Sequence, residues 1–462
     1  MKNMQKRLLA LLLCLMMVLA ASACKLSDDE KTGDVGATDI DSEAVVAKVG
    51  DSDKYTVSLG ELNESYQSMI SFYTSYGMSA PTADADIQSY QDMVMEGLVS
   101  DQMLLYQAEQ MGLSPLTDEE AEQAQKEADE SIAALLQDYV DYATEEGADD
   151  PQATAVEYIN EDLANYGYTV DWAGYQTMYY ESVYNGKVTE KLQEKIQSAV
   201  TVDDADVQAY YDELLASQKE SYDATPSSYV TASEDYEKGG QTPVLYTPDG
   251  FIRVKVVGVE PEGTLDESYN TIKTEMTTLE AEYGALALSG ADAARMKEIQ
   301  AEYNDKKAEA DTLFEAYVKD ARKKAVDAYA ALKSGTSFDE VLKEYGQDEM
   351  FATYETFATK GRLLGKEAGS DNWEDVIREA ALKLEDGAYS DVIEVDGAYY
   401  IVMRVGDEAA AELSFDEVKD ILTPIVLAEK QNTVWENQKS AWMDEDGLVT
   451  YYEDVYRNVV GK

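Results

Sequence analysis

The chain has 462 residues and a formal net charge of −56, from 93 acidic and 37 basic residues, and it contains no histidine. With 45% apolar residues it has the composition of a globular protein, and its length suggests about two to four domains. The charge argues against nucleic-acid partners, whose phosphates are bound by clustered Lys and Arg. The lack of histidine excludes Ser-His-Asp and Cys-His catalysis and His-ligated zinc.

The N-terminus has the pattern of a secretory signal. Basic residues precede an apolar run over 8–23, and small residues lead directly to Cys24. The run is too short to span a bilayer comfortably, which takes about 20 apolar residues. It resembles a bacterial lipoprotein signal, and this resemblance implies that Cys24 is acylated and becomes the mature N-terminus. We therefore predict a signal peptide at 1–23, a lipid on Cys24 and an acidic flexible tether at 24–44.

The only other cysteine, Cys14, lies inside the predicted signal. A mature chain that begins at Cys24 has no cysteine pair, so its stability must come from burial of a core rather than from an internal disulfide. The alternative for the N-terminus is an ordinary signal peptide that is followed by an incidental cysteine.

The folded part is predicted to begin with a short β-hairpin, in which the runs 45–49 and 54–57 are joined by a four-residue turn. Helical periodicity then continues to about residue 215, with Met93, Leu98 and Met103 recurring at helical spacing. Thr117 begins one of these helices with a capping-box pattern. The first half of the chain is therefore predicted to be almost entirely helical.

The composition changes at 221–250, which holds three of the eight prolines and a pair of glycines. Such a segment is typical of a linker, and we predict one here. Four elements are predicted to follow: a strand at 251–257, a long helical hairpin at 265–334, a compact α/β stretch at 337–405 and a helix at 415–442.

Three parts of the chain resemble the SurA/PrsA-type extracytoplasmic foldases, which carry a parvulin-type peptidyl-prolyl isomerase domain. Residues 98–108 and 202–213 are similar to two helices of that family, and 330–338 is close to its LKxGxDF motif. The order of these parts behind a lipoprotein signal is more specific than any one of them. The resemblance implies an α+β, mostly helical fold, with a SurA/trigger-factor-like helical chaperone domain and a small parvulin-like α/β domain that carries a long helical-hairpin insertion.

The resemblance also implies the domains and the function. The domains are a chaperone domain at 45–220 completed by 413–462, a linker at 221–250, and a parvulin-like domain at 251–408 with its insertion at about 260–322. The implied function is a membrane-anchored foldase whose partners are unfolded or newly secreted polypeptides and, through the N-terminal lipid, the membrane. No cofactor, metal or nucleic acid is expected.

Site residues follow from the same resemblance. Parvulins carry a histidine in the first strand and another in the last, and these positions align with Val256 and Tyr400. An acid between them survives as Asp348, while the apolar shelf for the proline ring aligns with Trp373 and Ile377. We therefore predict catalytic roles for Asp348 and Tyr400, and substrate binding by Trp373, Ile377 and Val256.

The residues leave the activity open between a working isomerase and one that is reduced or lost. Rotation about an X-Pro bond needs no nucleophile, because an apolar slot and hydrogen bonds to the twisted carbonyl can lower a barrier of about 18–20 kcal/mol. Client binding needs no such slot, since aromatic and Met side chains such as Tyr66, Tyr73, Tyr76 and 178–180 could hold unfolded segments. Alternatively, these tyrosines fill contacts between helices. A rival function is a lipoprotein scaffold that keeps the parvulin architecture without catalysis or general client handling.

Overall fold

The structure is a computed structural model that describes residues 41–165, 168–265, 267–289 and 293–461. The predicted signal at 1–23, Cys24 and most of the predicted tether lie outside the described residues. The chain forms two compact units, and unit 1 contains the described residues up to Thr201 and from Leu427 onward, whereas unit 2 is Val202–Val426. None of the described helices combines the length and the apolar character that a membrane span requires.

The described elements are mostly helices, as the sequence predicts. In chain order they begin with β1 (Val45–Val49), β2 (Thr56–Ser58), α1 (Leu59–Ser75), α2 (Asp84–Gln110), α3 (Asp118–Glu145), α4 (Pro151–Asn165) and α5 (Trp172–Gln197). They continue with α6 (Asp204–Ala224), α7 (Pro226–Glu237), β3 (Tyr246–Thr247), β4 (Phe251–Val259), α8 (Glu267–Ser289) and α9 (Ala293–Lys333). Next come α10 (Phe338–Tyr345), α11 (Glu349–Thr353), α12 (Glu355–Lys360), β5 (Arg362–Gly365), α13 (Asp375–Leu382), β6 (Ile393–Val395), β7 (Ala398–Glu408) and β8 (Ala411–Glu412). The last are α14 (Phe415–Met443), β9 (Val449–Tyr451) and α15 (Glu453–Tyr456).

Unit 1 contains a small antiparallel sheet in which β1 lies between β2 and β9. This confirms the predicted hairpin. Its core also includes Trp435 and Trp442, which belong to the part of α14 that follows Leu427. The C-terminal segment therefore supplies both a strand and two buried aromatic side chains to the unit that the N-terminal residues begin.

The helices of unit 1 begin and pack largely as their sequence pattern predicts. Thr117 caps α3 through a capping box, with the Glu120 amide donating to the Thr117 hydroxyl at 3.3 Å. Leu98 and Met103 of α2 are buried, but Met93 is 53% exposed and Met95 takes the buried position instead. The helical period was predicted correctly there, whereas the face on which Met93 lies is a solvent face.

Unit 2 is built on a four-stranded antiparallel sheet with the strand order β5-β4-β7-β6. All nine residues of β4 are buried, as expected for a central strand that is covered on both faces. Helix α9 contributes a row of small residues, Ala321, Ala325 and Ala328, to the same core. Their spacing places them on one face of the helix and lets its backbone approach the sheet closely.

The predicted helical hairpin is present in unit 2 as α8 and α9. The two helices run antiparallel, because contacts pair early residues of α8 with late residues of α9: Tyr269 stacks on Phe314 at 6.1 Å, and Glu282 accepts from Arg295 at 2.9 Å. The hairpin also has a small core of its own around Ile272. It therefore forms a packed insertion between β4 and the rest of the domain.

The segment 221–250 has regular structure where the sequence predicts a linker. Pro226 lies in the first turn of α7, where a proline starts a helix without losing a hydrogen bond. Tyr229 of α7 is buried against Phe251, with ring centroids 4.9 Å apart. The Gln218 side chain binds the Pro243 carbonyl at 2.8 Å and the Leu245 amide at 2.7 Å. Proline and glycine therefore mark helix and turn boundaries here, while the domain boundaries stay predictions.

Candidate functional site

Val256, Asp348, Trp373, Ile377 and Tyr400, the five residues predicted for the site in the folded part of the chain, all line one cavity in unit 2. The cavity has a volume of about 690 Å³. Its other lining residues are Ser227, Val230, Thr231, Glu234, Asp235, Lys238, Gly258, Glu260, Gln347, Arg362, Asp371, Asn372 and Glu374. Residues that are up to 144 positions apart in the chain are thus brought together, and their roles remain predictions.

The sheet supplies one wall of this cavity. Gly258 of β4 pairs with Tyr400 of β7, and Val256 pairs with Val402 two positions along. A Cβ atom at Gly258 would lie 3.3 Å from the Tyr400 ring, tighter than most side-chain contacts. The glycine therefore leaves room for the ring where it stands. The two positions predicted to align with the parvulin histidines, Val256 and Tyr400, hold a buried aliphatic residue and a half-buried phenol.

Trp373 and Ile377, the latter on α13, add apolar side chains to the lining of the cavity. Ile377 is buried, and the indole N–H of Trp373 donates to the Leu363 carbonyl at 2.8 Å. The loop that carries Trp373 is held by an ion pair between Arg378 and Asp371, whose closest atoms are 2.7 Å apart and whose side chains are almost fully buried. This arrangement fixes the indole relative to β5.

Asp348 is engaged on both of its oxygens. One oxygen caps α11 by accepting from the Met350 amide at 2.9 Å, and the other accepts from Arg362 at 3.2 Å. Both oxygens of Asp348 therefore accept hydrogen bonds that hold neighbouring parts of the fold, and its catalytic role stays a prediction.

Arg362 is a site residue that the sequence did not indicate. Its guanidinium binds both oxygens of Glu234 on α7, at 2.9 and 3.3 Å, and lies 5.0 Å from the centroid of the Trp373 ring. It thus joins Asp348, the indole and α7 through a bidentate pair and a cation–π contact. Glu234 lies 128 residues earlier in the chain, in the segment predicted as a linker. No local pattern signals such a pair.

Tyr400 brings a phenol hydroxyl, a hydrogen-bond donor, to the lining of the cavity. Burial raises the pKa of its hydroxyl, and the nearby carboxylates of Glu260, Glu374 and Asp348 raise it further. The phenol therefore stays protonated at neutral pH. A protonated hydroxyl beside Trp373 and Ile377 can donate to a peptide carbonyl while the apolar surface holds a ring.

Among the described residues, no group of three or more acidic or cysteine side chains is arranged to hold a metal ion.

The Tyr patches predicted for client binding divide into two kinds. Tyr66 is buried in the core of unit 1, so it fills a helix contact. Tyr76 is 63% exposed and lies 4.9 Å from Phe72, which in turn contacts Tyr73.

Comparison with known proteins finds a family match that includes part of the cavity lining. Residues 296–420 match the family described as the PPIC-type PPIASE domain. The foldase protein PrsA of Bacillus subtilis (strain 168) is 29% identical over 111 residues, which are 24% of this chain and 34% of that protein. The match therefore spans about a third of the length of this curated relative.

Two solved structures cover more of the chain at lower identity. The crystal structure of PrsA from Bacillus subtilis covers 88% of this chain and 93% of its own, at 16% identity and a TM-score of 0.21. That of the foldase protein PrsA from Streptococcus pneumoniae covers 89% and 98%, at 13% identity and a TM-score of 0.26. TM-scores this low carry no argument about function. Residues 296–420 of this chain are thus similar to parvulin-like, PPIC-type domains, and part of the chain is similar to a PrsA foldase.

Proposed function

We propose that this protein is an extracytoplasmic foldase, anchored through a lipid on Cys24, which binds unfolded secreted polypeptides and isomerises their X-Pro bonds in the unit 2 cavity. The observation that carries the proposal is the convergence of the five predicted site residues on one cavity, four of them within the residues that match the PPIC-type family. The relative from Bacillus subtilis is named a foldase. The anchor rests on the signal pattern at the N-terminus.

The proposed isomerase step uses contacts that are present in the cavity. The proline ring packs between Trp373 and Ile377, which removes water from the X-Pro amide and lowers the double-bond character of its C–N bond. The Tyr400 hydroxyl donates to the carbonyl as that bond twists. Arg362 and Asp348 hold the indole and the start of α11 in place. No covalent intermediate and no proton transfer are required.

Unfolded segments are proposed to bind unit 1 at an exposed aromatic patch. The patch consists of the exposed Tyr76 and Met78 and of the partly buried Phe72, Tyr73 and Tyr90, with the Tyr73 and Tyr90 ring centroids 5.8 Å apart. Clustered exposed apolar side chains are costly on a soluble surface unless they serve binding. The hydroxyls of the tyrosines keep the patch compatible with water between clients.

Trp373→Ala is expected to lower the catalysed isomerisation rate about ten-fold, because the proline ring loses apolar contact worth on the order of 1.5 kcal/mol. The measurement is cis-to-trans exchange of a proline peptide by NMR, with the purified chain at several concentrations. Trp373→Phe is the matched control. It keeps an aromatic face for the proline ring but loses the hydrogen bond from the indole N–H to the Leu363 carbonyl, so it separates the two contributions. If wild type leaves the uncatalysed rate unchanged, the chain is a chaperone or scaffold without isomerase activity.

Tyr76→Ser combined with Met78→Ser is expected to weaken the suppression of aggregation about three-fold or more, because both side chains offer exposed apolar area to a client. Light scattering of a denatured secreted protein, with the chain in several-fold excess, provides the measurement. Tyr283→Ser removes a tyrosine that is 39% exposed on the hairpin of unit 2 and should have no effect. Wild-type protein that suppresses nothing would favour the scaffold function instead.

A further inference from the structure

The unit 2 cavity combines acidic side chains in its lining with an apolar floor, formed by Val256, Trp373 and Ile377. Six carboxylates line it, from Glu234, Asp235, Glu260, Asp348, Asp371 and Glu374, against the cations of Lys238 and Arg362. A cavity that combines an apolar floor with one sign of charge selects both for shape and for the charge of what enters. The partners of these carboxylates therefore decide which charge a substrate meets.

Four of the six carboxylates already have cationic partners. Arg362 binds Glu234 and Asp348, with closest distances of 2.9 and 3.2 Å. Lys238 lies 2.7 Å from Asp235. Asp371 is held by Arg378, also at 2.7 Å. Lys238 and Arg362, the two cationic residues of the cavity lining, therefore both already form ion pairs.

Glu260 and Glu374 differ from the other four. In the part of the chain that the structure describes, neither forms an ion pair. Both line the same cavity as Tyr400, Trp373 and Ile377, the residues of the proposed proline slot. The two residues come from distant parts of the chain: Glu260 follows β4, and Glu374 precedes α13.

We propose that the cavity prefers X-Pro segments in which a lysine or arginine is next to the proline, with Glu260 and Glu374 binding the positive charge. This inference rests on the proposed function, because it assigns a substrate class to the same slot. A neighbouring cation would pair with the two free carboxylates while the proline ring occupies the apolar floor. An acidic neighbour would instead meet a net charge of −4 among the lining side chains.

The test compares peptides that differ only in the residue next to proline: Lys, Ala or Glu, placed before it in one set and after it in another. Catalysed isomerisation by the full chain is measured at low ionic strength and in 1 M NaCl. We expect the Lys peptide of at least one set to exceed the Glu peptide by about three- to five-fold at low salt, the range of partly exposed ion pairs. The difference should shrink in high salt, since exposed charges are then screened.

The variant Glu260→Gln/Glu374→Gln is expected to bring the Lys and Glu peptides to similar rates. Glu385→Gln is the matched control, because Glu385 is an exposed carboxylate of the same domain outside the cavity. Equal rates for all peptides with wild type, or a preference that the double variant keeps, would overturn the inference.

Binding of fluorescein-labelled versions of the same peptides, measured by anisotropy, separates this inference from the proposed function. If no peptide is isomerised but the Lys peptide still binds more tightly, the substrate class holds and the isomerase activity is absent. If isomerisation occurs without charge preference, the isomerase function holds and the assigned substrate class is wrong. In this binding assay too, Glu385→Gln should keep the preference for the Lys peptide that the double variant loses.

Discussion

Arg378→Met is expected to destabilise unit 2 by about 3–5 kcal/mol, because it leaves the Asp371 carboxylate buried without its counter-charge. The Arg378 side chain is 5% exposed and that of Asp371 is 1% exposed. Arg378 also donates to the carbonyls of Gly365 and Trp373, at 2.7 and 2.9 Å. Its loss therefore leaves several buried acceptors unpaired in addition to the carboxylate.

Native-state hydrogen exchange at the amides of β5 and α13 measures this effect in unit 2 itself. Lys383→Met is the matched control, since Lys383 caps the C-terminus of the same helix and its exposed ion pair with Glu379 is 3.6 Å long. Such a pair is worth about 0–1 kcal/mol. If both variants lower protection equally, the buried pair is not what holds the loop that carries Trp373.

Asp101→Asn is expected to stabilise unit 1 in a pH-dependent way. Burial raises the pKa of the Asp101 carboxyl to about 7, while the charge of Lys439 opposes the rise. The unfolded chain has a carboxyl pKa of about 3.9, so between these values the folded state binds more protons than the unfolded one. Stability therefore falls as the pH rises from about 4 to 7, and the whole penalty is present above pH 8.

Removing the ionisable group should thus add on the order of 2–4 kcal/mol above pH 8 and roughly a third of that at pH 5. Urea unfolding followed by tryptophan fluorescence at the two pH values gives the comparison, since Trp435 and Trp442 lie in the core of unit 1. Glu96→Gln, on the exposed face of the same helix, should change stability little at either pH. A gain for Asp101→Asn that is independent of pH would contradict the argument.

Local pattern and family resemblance predicted much of this protein. The hairpin of α8 and α9 was predicted from the composition of 265–334, which is rich in the helix-forming residues Ala, Glu, Lys and Met. The resemblance indicated Asp348, Trp373 and Tyr400, and the fold brings them to one cavity. What the sequence could not supply was the charge arrangement among them.

The features that were missed depend on contacts between distant residues. The ion pair of Arg362 and Glu234 joins strand β5 to helix α7. Local composition predicts a linker in place of that helix, because proline and glycine commonly interrupt regular structure. Pro226 instead begins α7, and Tyr229 buries one face of it. The exposed position of Met93 was missed for a related reason. Its spacing fits the period of a helix, but spacing alone does not show whether a side chain faces the core.

The division of the parvulin-like domain by the hairpin bears on how it folds. Strand β4 precedes the hairpin, and its partner β7 begins 139 positions after β4 ends, so their pairing must close a long loop. Antiparallel packing of α8 and α9 brings the start of α8 beside α9, where Tyr269 stacks on Phe314. With the hairpin packed, the effective loop between β4 and β7 is far shorter than its residue count, which lowers the entropy lost when the two strands pair.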